Sequence, residues 1–282
     1  MNVHAQWRLA FAQALSNKLR QFVAIEMVAV LGSVARGYSD QYSDLELLLV
    51  WNHQPSPEQQ ATLLRALQAE FRYPPFDPGY QSAFRIQGIP VDLWHTTAAQ
   101  EEAFIHTVLH EFSLDLVANN RLDTLLSCIP LYGADQVEDW KAHIQAYPTE
   151  LALRFIQTYI PHFHLRQLNL AAHRDNPTAF YHTLSDIQCS LFLVLLALNK
   201  AYFPTFKWIY PALRRMQHTP LEIATRLHAM FQEPSIQAAK HLRTVLAETL
   251  DIVEATYPQI YTAYARYGLD QEPLVYQQPP VF

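Results

Sequence analysis

The stretch Val30-Leu31-Gly32-Ser33-Val34-Ala35-Arg36-Gly37, followed after six further residues by Asp44-Leu45-Glu46-Leu47-Leu48-Leu49-Val50-Trp51, decides the reading of this chain. Ile25 to Leu31 and Leu45 to Trp51 are short aliphatic runs, apolar enough for central strands, joined by a polar loop. The chain has only six glycines, and two of them fall in that loop. A glycine and a serine at a strand end, opening into a short helix, let backbone N–H groups approach an anion and add a hydroxyl donor. Side chains alternate along a strand, so Asp44 and Glu46 point one way while Leu45 and Leu47 point the other. Two carboxylates side by side call for a divalent cation, and hard oxygen ligands beside a phosphate-binding loop suit magnesium and a nucleoside triphosphate. Asp92, in Pro90-Val91-Asp92-Leu93-Trp94-His95, is a third acid inside an otherwise apolar strand.

Outward from this core, residues 5–22 carry apolar side chains near helical spacing, at Trp7, Leu9, Ala10, Phe11, Ala14, Leu15, Leu19 and Phe22. Ser56-Pro57-Glu58 starts a helix that ends near Phe71. Pro74, Pro75 and Pro78 then break the chain. Tyr80–Ile86 and Ile89–His95 flank Gln87-Gly88 as a hairpin. From about Ala98 strand signals fade, and helices are expected over 98–112, 136–146, 149–172, 178–203, 208–217, 220–232 and 235–267. The segment Thr178 to Phe203 is apolar nearly all round, which places it at a domain centre or a subunit interface and allows a homodimer. Gln277 to Phe282 form a proline-bearing tail. The fold class is therefore α+β: a mixed β-sheet domain with flanking helices over residues 1–130, followed by an all-helical domain over residues 131–282.

Gly32-Ser33, ten residues, Asp44-Leu45-Glu46 and then Asp92 together resemble the signature of the nucleotidyltransferase superfamily that includes DNA polymerase beta. The segment Tyr42-Ser43-Asp44-Leu45-Glu46 is most similar to the aminoglycoside (kanamycin-type) nucleotidyltransferases. The resemblance covers mainly residues 25–95, about a quarter of the chain, and it implies the same sheet-then-helices architecture. It further implies that Asp44 and Glu46 bind Mg²⁺, and that Asp92 is either a metal ligand or the general base. Gly32, Ser33 and Ser43 would hold the triphosphate of ATP or another nucleoside triphosphate, with Arg36 beside the leaving pyrophosphate. Lys207 lies among aromatics in Tyr202-Phe203-Pro204-Thr205-Phe206-Lys207-Trp208, one of five lysines in the chain. The family's helical-domain lysine contacts the triphosphate, and the resemblance implies that role for Lys207.

Of the 282 residues, 50% are hydrophobic and 16% charged, which argues against disorder, and no fixed-period repeat is present. Twenty basic against 26 acidic residues give a net charge of −6, with Arg214-Arg215 as the single adjacent basic pair, so no footprint for DNA is expected. Cys128 and Cys189, set among apolar residues, imply a reducing compartment, and the polar N-terminal segment is unlike a secretory signal. The longest apolar run, Leu191 to Leu198, is too short to cross a bilayer, so a cytoplasmic location without membrane contact is expected.

Other polar residues have bland readings. His106 and His110, four apart with Glu111 beside them, do not follow the order of a zinc-protease motif and lack an evident third ligand, so they read as surface histidines. His162 and His164 point to different helix faces. Asp186 in the long apolar helix is either paired with His182 or exposed to a cleft.

The function expected from these residues is Mg²⁺-dependent transfer of a nucleoside monophosphate, AMP from ATP, to a hydroxyl of a small molecule such as an aminoglycoside-type antibiotic, with release of pyrophosphate. The alternatives are the same chemistry on a protein or RNA, as in toxin–antitoxin nucleotidyltransferases, or a catalytically silent nucleotide-binding scaffold.

Overall fold

A computed structural model describes residues 2–73 and 79–275, without the side chains of 71–73. The proline cluster at 74–78 and the tail from Gln277 lie outside the described residues. The chain packs as two compact units, Met1–Glu111 with Val117–Ala146, and Phe112–Leu116 with Tyr147–Phe282.

The first unit opens with α1 (Val3–Leu19), capped by the Asn2 side chain, which accepts from the Ala5 N–H. There follow β1 (Ile25–Val30), the short α2 (Gly32–Arg36), β2 (Leu45–Trp51) and α3 (Pro57–Ala66). Ser56 and Gln59 close a reciprocal capping box on α3, with Pro57 in its first turn. β3 (Phe71–Tyr73), β4 (Gln81–Ile86) and β5 (Ile89–Thr97) lead to α4 (Ala98–Leu109), α5 (Leu116–Ser127), β6 (Ile129–Tyr132) and α6 (Ala134–Ile144). β4 turns into β5 through Gln87 and Gly88, both at positive φ (52° and 76°), as a two-residue turn matched to strand twist requires.

The six strands lie in the order β3-β4-β5-β2-β1-β6. β2 and β5 are parallel, while the remaining neighbours are antiparallel, so the sheet is mixed and the fold class is α+β. Val30, Leu45, Leu47, Leu49, Trp51, Val91 and Leu93 form one core with Ala5, Ala12, Leu15 and Leu19 of α1 and Leu63 and Leu64 of α3. Each leucine so buried contributes on the order of 1.5–3 kcal/mol.

Three expectations need correction. The buried stripe of α1 is Ala5, Arg8, Ala12, Leu15, Ser16 and Leu19, while Trp7 is exposed. The stripe is the right helix seen a fraction of a turn off, because apolar residues surround α1 on several sides. β3 and β6, and the helix α5 between residues 116 and 127, were not foreseen. β6 is four half-buried residues containing Pro130, which suits the sheet edge it occupies.

The second unit contains helices and no strand among its described residues: α7 (Thr149–Tyr159), α8 (Arg166–His173), α9 (Pro177–Leu198), α10 (Ile209–Leu213), α11 (Ile223–Ala229), α12 (Ser235–Thr256) and α13 (Ala263–Leu269). Two helices expected as continuous are broken. The first breaks after Tyr159, at Ile160-Pro161, and the second after Thr256, ahead of Pro258, where the missing N–H ends the helical ladder. α7, α8 and α12 pack around α9, whose residues Ser190 to Leu198 are all buried. By length and composition α9 is the one described helix able to cross a membrane, which corrects the shorter run read from the sequence; 67% of its most apolar window is buried inside the protein.

On the face of the sheet that packs against α1, His95 is buried to 1% exposure. Its Nδ1 accepts from the Trp51 indole N–H at 3.1 Å, and its Nε2 lies 2.9 Å from the Ser82 hydroxyl. Burial pushes its pKa down from 6.5 to about 4. The unfolded chain therefore binds a proton in the window between these values while the folded chain does not. Stability should be full above pH 6.5 and fall as pH drops towards 4, by up to about 3 kcal/mol. Urea unfolding at pH 7.5 and 4.5 reads this difference, and His95→Gln should largely flatten it.

Candidate active site

The parallel ladder between β2 and β5 pairs Leu45 with Val91, Glu46 with Asp92 and Leu47 with Leu93. Two sequence-predicted carboxylates, 46 residues apart in the chain, are thus opposite each other on adjacent strands about 4.8 Å apart. Both are half-buried, and strand alternation keeps them off the apolar α1 face. Asp44 immediately precedes β2 with the parity of Glu46 and is likewise half-buried.

Gly32 closes one side of this group. Its φ is +61°, and a Cβ built there would lie 1.4 Å from Glu46 Oε2 and 2.6 Å from its carboxyl carbon. The backbone conformation favours glycine, and any larger residue at 32 would have to push the Glu46 carboxylate out of the space it occupies. The Leu31 N–H donates to the Glu46 carbonyl at 2.9 Å, tying the start of α2 to the same residue of β2. Helix geometry leaves the first N–H groups of α2 without an intrahelical acceptor.

The remaining expected residues sit as follows. Ser33 is buried, its hydroxyl 3.2 Å from that of Ser39, and its carbonyl accepts from the Tyr38 N–H. Ser43 bonds through its hydroxyl to Asp40, whose carboxylate also accepts from the Tyr42 N–H. These bonds hold the Asp40 carboxyl below the usual carboxylate range. Arg36 is not free beside the loop: its guanidinium pairs with Asp123 of α5 and reaches the Thr124 hydroxyl at 3.3 Å. Burial raises the pKa of Asp123, and the Arg36 charge opposes that rise. Lys207 belongs to the second unit, with its ammonium 5.4 Å from the Trp208 ring centroid.

Sequence reasoning missed Arg8. It is 3% exposed, donates to the Ser43 carbonyl at 2.6 Å and to the His4 carbonyl at 3.1 Å, and lies over the Trp7 ring. Burial lowers its pKa, against the attraction of Asp40 and Asp44. Its bond to the Ser43 carbonyl holds the backbone one peptide before Asp44. The signal for it was available: Arg8 falls at the spacing of Ala5, Ala12, Leu15 and Leu19, and a charge in a buried helical stripe needs a partner.

The donor set is one that Mg²⁺ accepts, hard carboxylate oxygens, and the absent Cβ at Gly32 lets the Glu46 carboxylate lie against the start of α2. Among the described residues no three His, Cys, Asp or Glu side chains surround a common point closely enough to cage an ion. Magnesium does not demand such a cage, since it keeps waters and takes one or two carboxylates plus substrate phosphates.

Gly32→Ala should cost about 1–3 kcal/mol, chiefly through positive-φ strain, with a smaller part from displacing the Glu46 carboxylate. Glu46→Ala in the same chain should recover the steric part but not the backbone part. A double-mutant cycle on denaturant midpoints reads that coupling.

Comparison with known families gives a match over residues 127–209 to a domain of unknown function (DUF4037). No curated protein matches this chain. Among solved structures, a nucleotidyltransferase-like protein from Exiguobacterium sibiricum 255-15 is similar at 12% identity with a TM-score of 0.40, the match covering 85% of this chain and 72% of that one.

Proposed function

We propose that this protein is an Mg²⁺-dependent nucleotidyltransferase that moves a nucleoside monophosphate, AMP from ATP, onto a hydroxyl of a small molecule of the aminoglycoside type. The observation that carries the reading is the rung Glu46–Asp92, set against a glycine whose missing Cβ makes room for the Glu46 carboxylate. Opposed like charges on a ladder cost stability. A pair placed there at the end of an anion-accepting turn fits a site that binds a cation together with phosphate.

In this reading Asp44 and Glu46 would hold the ion, and Asp92 either joins them or takes the proton of the acceptor hydroxyl at its carboxylate oxygen. When bound, Mg²⁺ neutralises triphosphate charge and polarises the phosphoryl group under attack. The N–H groups at the start of α2 face phosphate oxygens, with Ser33 and Ser43 shaping the loop. The acceptor oxygen forms a bond to the α-phosphorus as the bond to pyrophosphate breaks. Arg36, paired with Asp123, serves the site by tethering α2 to α5.

Pyrophosphate release from ATP, GTP, CTP and UTP with Mg²⁺, across aminoglycosides and lincosamides, tests the proposal. Release that requires one acceptor and falls by orders of magnitude in Asp44→Ala and Glu46→Gln is expected. Equal turnover by Asp44→Ala would overturn the assignment of the site. Mg²⁺-dependent nucleotide binding with no release on any acceptor panel, protein and RNA included, would make the chain a nucleotide-binding scaffold.

A further inference from the structure

α4 and α6 pack side by side in the first unit, and a cleft of about 370 Å³ opens between them. Its walls carry Glu102, His106 and His110 from α4 and its C-cap, and Asp139 and His143 from α6, over a floor of Ile105 and Trp140. The spacing is regular. Glu102, His106 and His110 are four residues apart, as are Asp139 and His143, so each set lies on one stripe of its helix. From sequence, His106 and His110 lacked a third ligand; the fold lays His143 and Asp139 along the same cleft.

We propose that this cleft is a binding site for a borderline divalent cation, Zn²⁺ or its chemical relatives, held by His106, His110, His143 and Asp139. Imidazole and carboxylate are the donors such an ion takes, in tetrahedral sets of three or four. The rings of His106 and His110 already stand 5.1 Å apart between centroids. Nδ1 of His106 faces the Glu111 carboxylate at 3.4 Å, the partner a ligating imidazole uses to orient its other nitrogen. Trp140 is 3% exposed, and its indole N–H has no hydrogen-bond partner. The donors are not closed around one point in this structure, as no described group of three is. The three histidines and Asp139 are exposed, and closure is a matter of rotamers at side chains that no core packing holds.

Titration calorimetry of the metal-free full-length protein with ZnCl₂ should show one saturable site per chain. His110→Ala and His143→Ala should each weaken it at least about tenfold, and Glu111→Gln by about tenfold. Glu46→Gln should leave it unchanged. The altered side chains are exposed, so thermal unfolding of the metal-free variants should coincide with that of the parent. The unaltered protein loaded with Co²⁺ should show the visible absorption of a four-coordinate site, a readout independent of any variant. Absence of saturable binding, binding retained in the triple variant His106→Ala, His110→Ala, His143→Ala, or a Co²⁺ complex without those bands would overturn the proposal. Loss of zinc in Glu46→Gln would do the same, by moving the ion to the carboxylate rung.

Discussion

The parallel pairing of β2 with β5 is the constraint on which the rest of the first unit depends. Parallel neighbours cannot be joined by a tight turn, and here the crossover is α3 with β3 and β4. The register then decides everything at the site, because a slip of one residue would turn every side chain of β5 to the other face. Leu45–Val91 and Leu47–Leu93 on either side of the carboxylate rung are fully buried, so register is enforced by apolar side chains flanking the rung. Hydrophobic burial on one face of the sheet thereby holds two like charges opposite each other on the other.

The loop that brings Asp44 to the same place is held differently. Residues 38–43 have no helix or strand of their own, and their geometry comes from discrete polar contacts. Asp40 closes a turn on Tyr42 and Ser43, Asn2 donates to the Ser39 carbonyl at 2.6 Å, and Arg8 holds the Ser43 carbonyl. Two of these contacts reach back from the N-terminal segment, so α1 contributes to the site as well as to the core. A guanidinium suits this role because it keeps its charge when buried and presents several donors in a fixed plane.

Much of this was legible in the sequence because it is local or periodic. Strands 25–31 and 45–51, the capping box at Ser56, and the hairpin at Gln87-Gly88 each announce themselves within a few residues. The Asp44 and Glu46 pair was readable from alternation alone. The adjacency of Glu46 and Asp92 was implied by family resemblance, since no local rule fixes which strands of a sheet become neighbours. The pairing of Arg36 with Asp123 was beyond reach for the same reason, as it spans 87 residues and runs to a helix, α5, whose polar Asn119-Asn120-Arg121 turn hid its periodicity. β6 carries only four residues, one of them proline, too short a pattern to separate from a loop.

The two faces of the sheet carry their polar groups differently, and this bears on how buried charge is accommodated in the first unit. On the α1 face a histidine is held neutral by burial, bonded to Trp51 and Ser82. The opposite parity along β5 carries Asp92 and then Thr96, whose hydroxyl donates to Glu101 at 2.7 Å. Glu101 is wholly buried and is met by two nitrogens of the Arg121 guanidinium. An ion pair of this kind adds little net stability, yet losing one partner leaves a charge stranded, at a cost of about 3–5 kcal/mol. Apolar packing supplies cohesion on both sides, with Met27, Ala29, Leu48 and Val50 buried on the parity of Glu46, and the charges beyond them are fixed by specific partners, Glu101 by Arg121 and Asp123 by Arg36. Pairing of this kind fixes where each charge stands, so the polar groups around β5 are as determinate in position as its apolar ones.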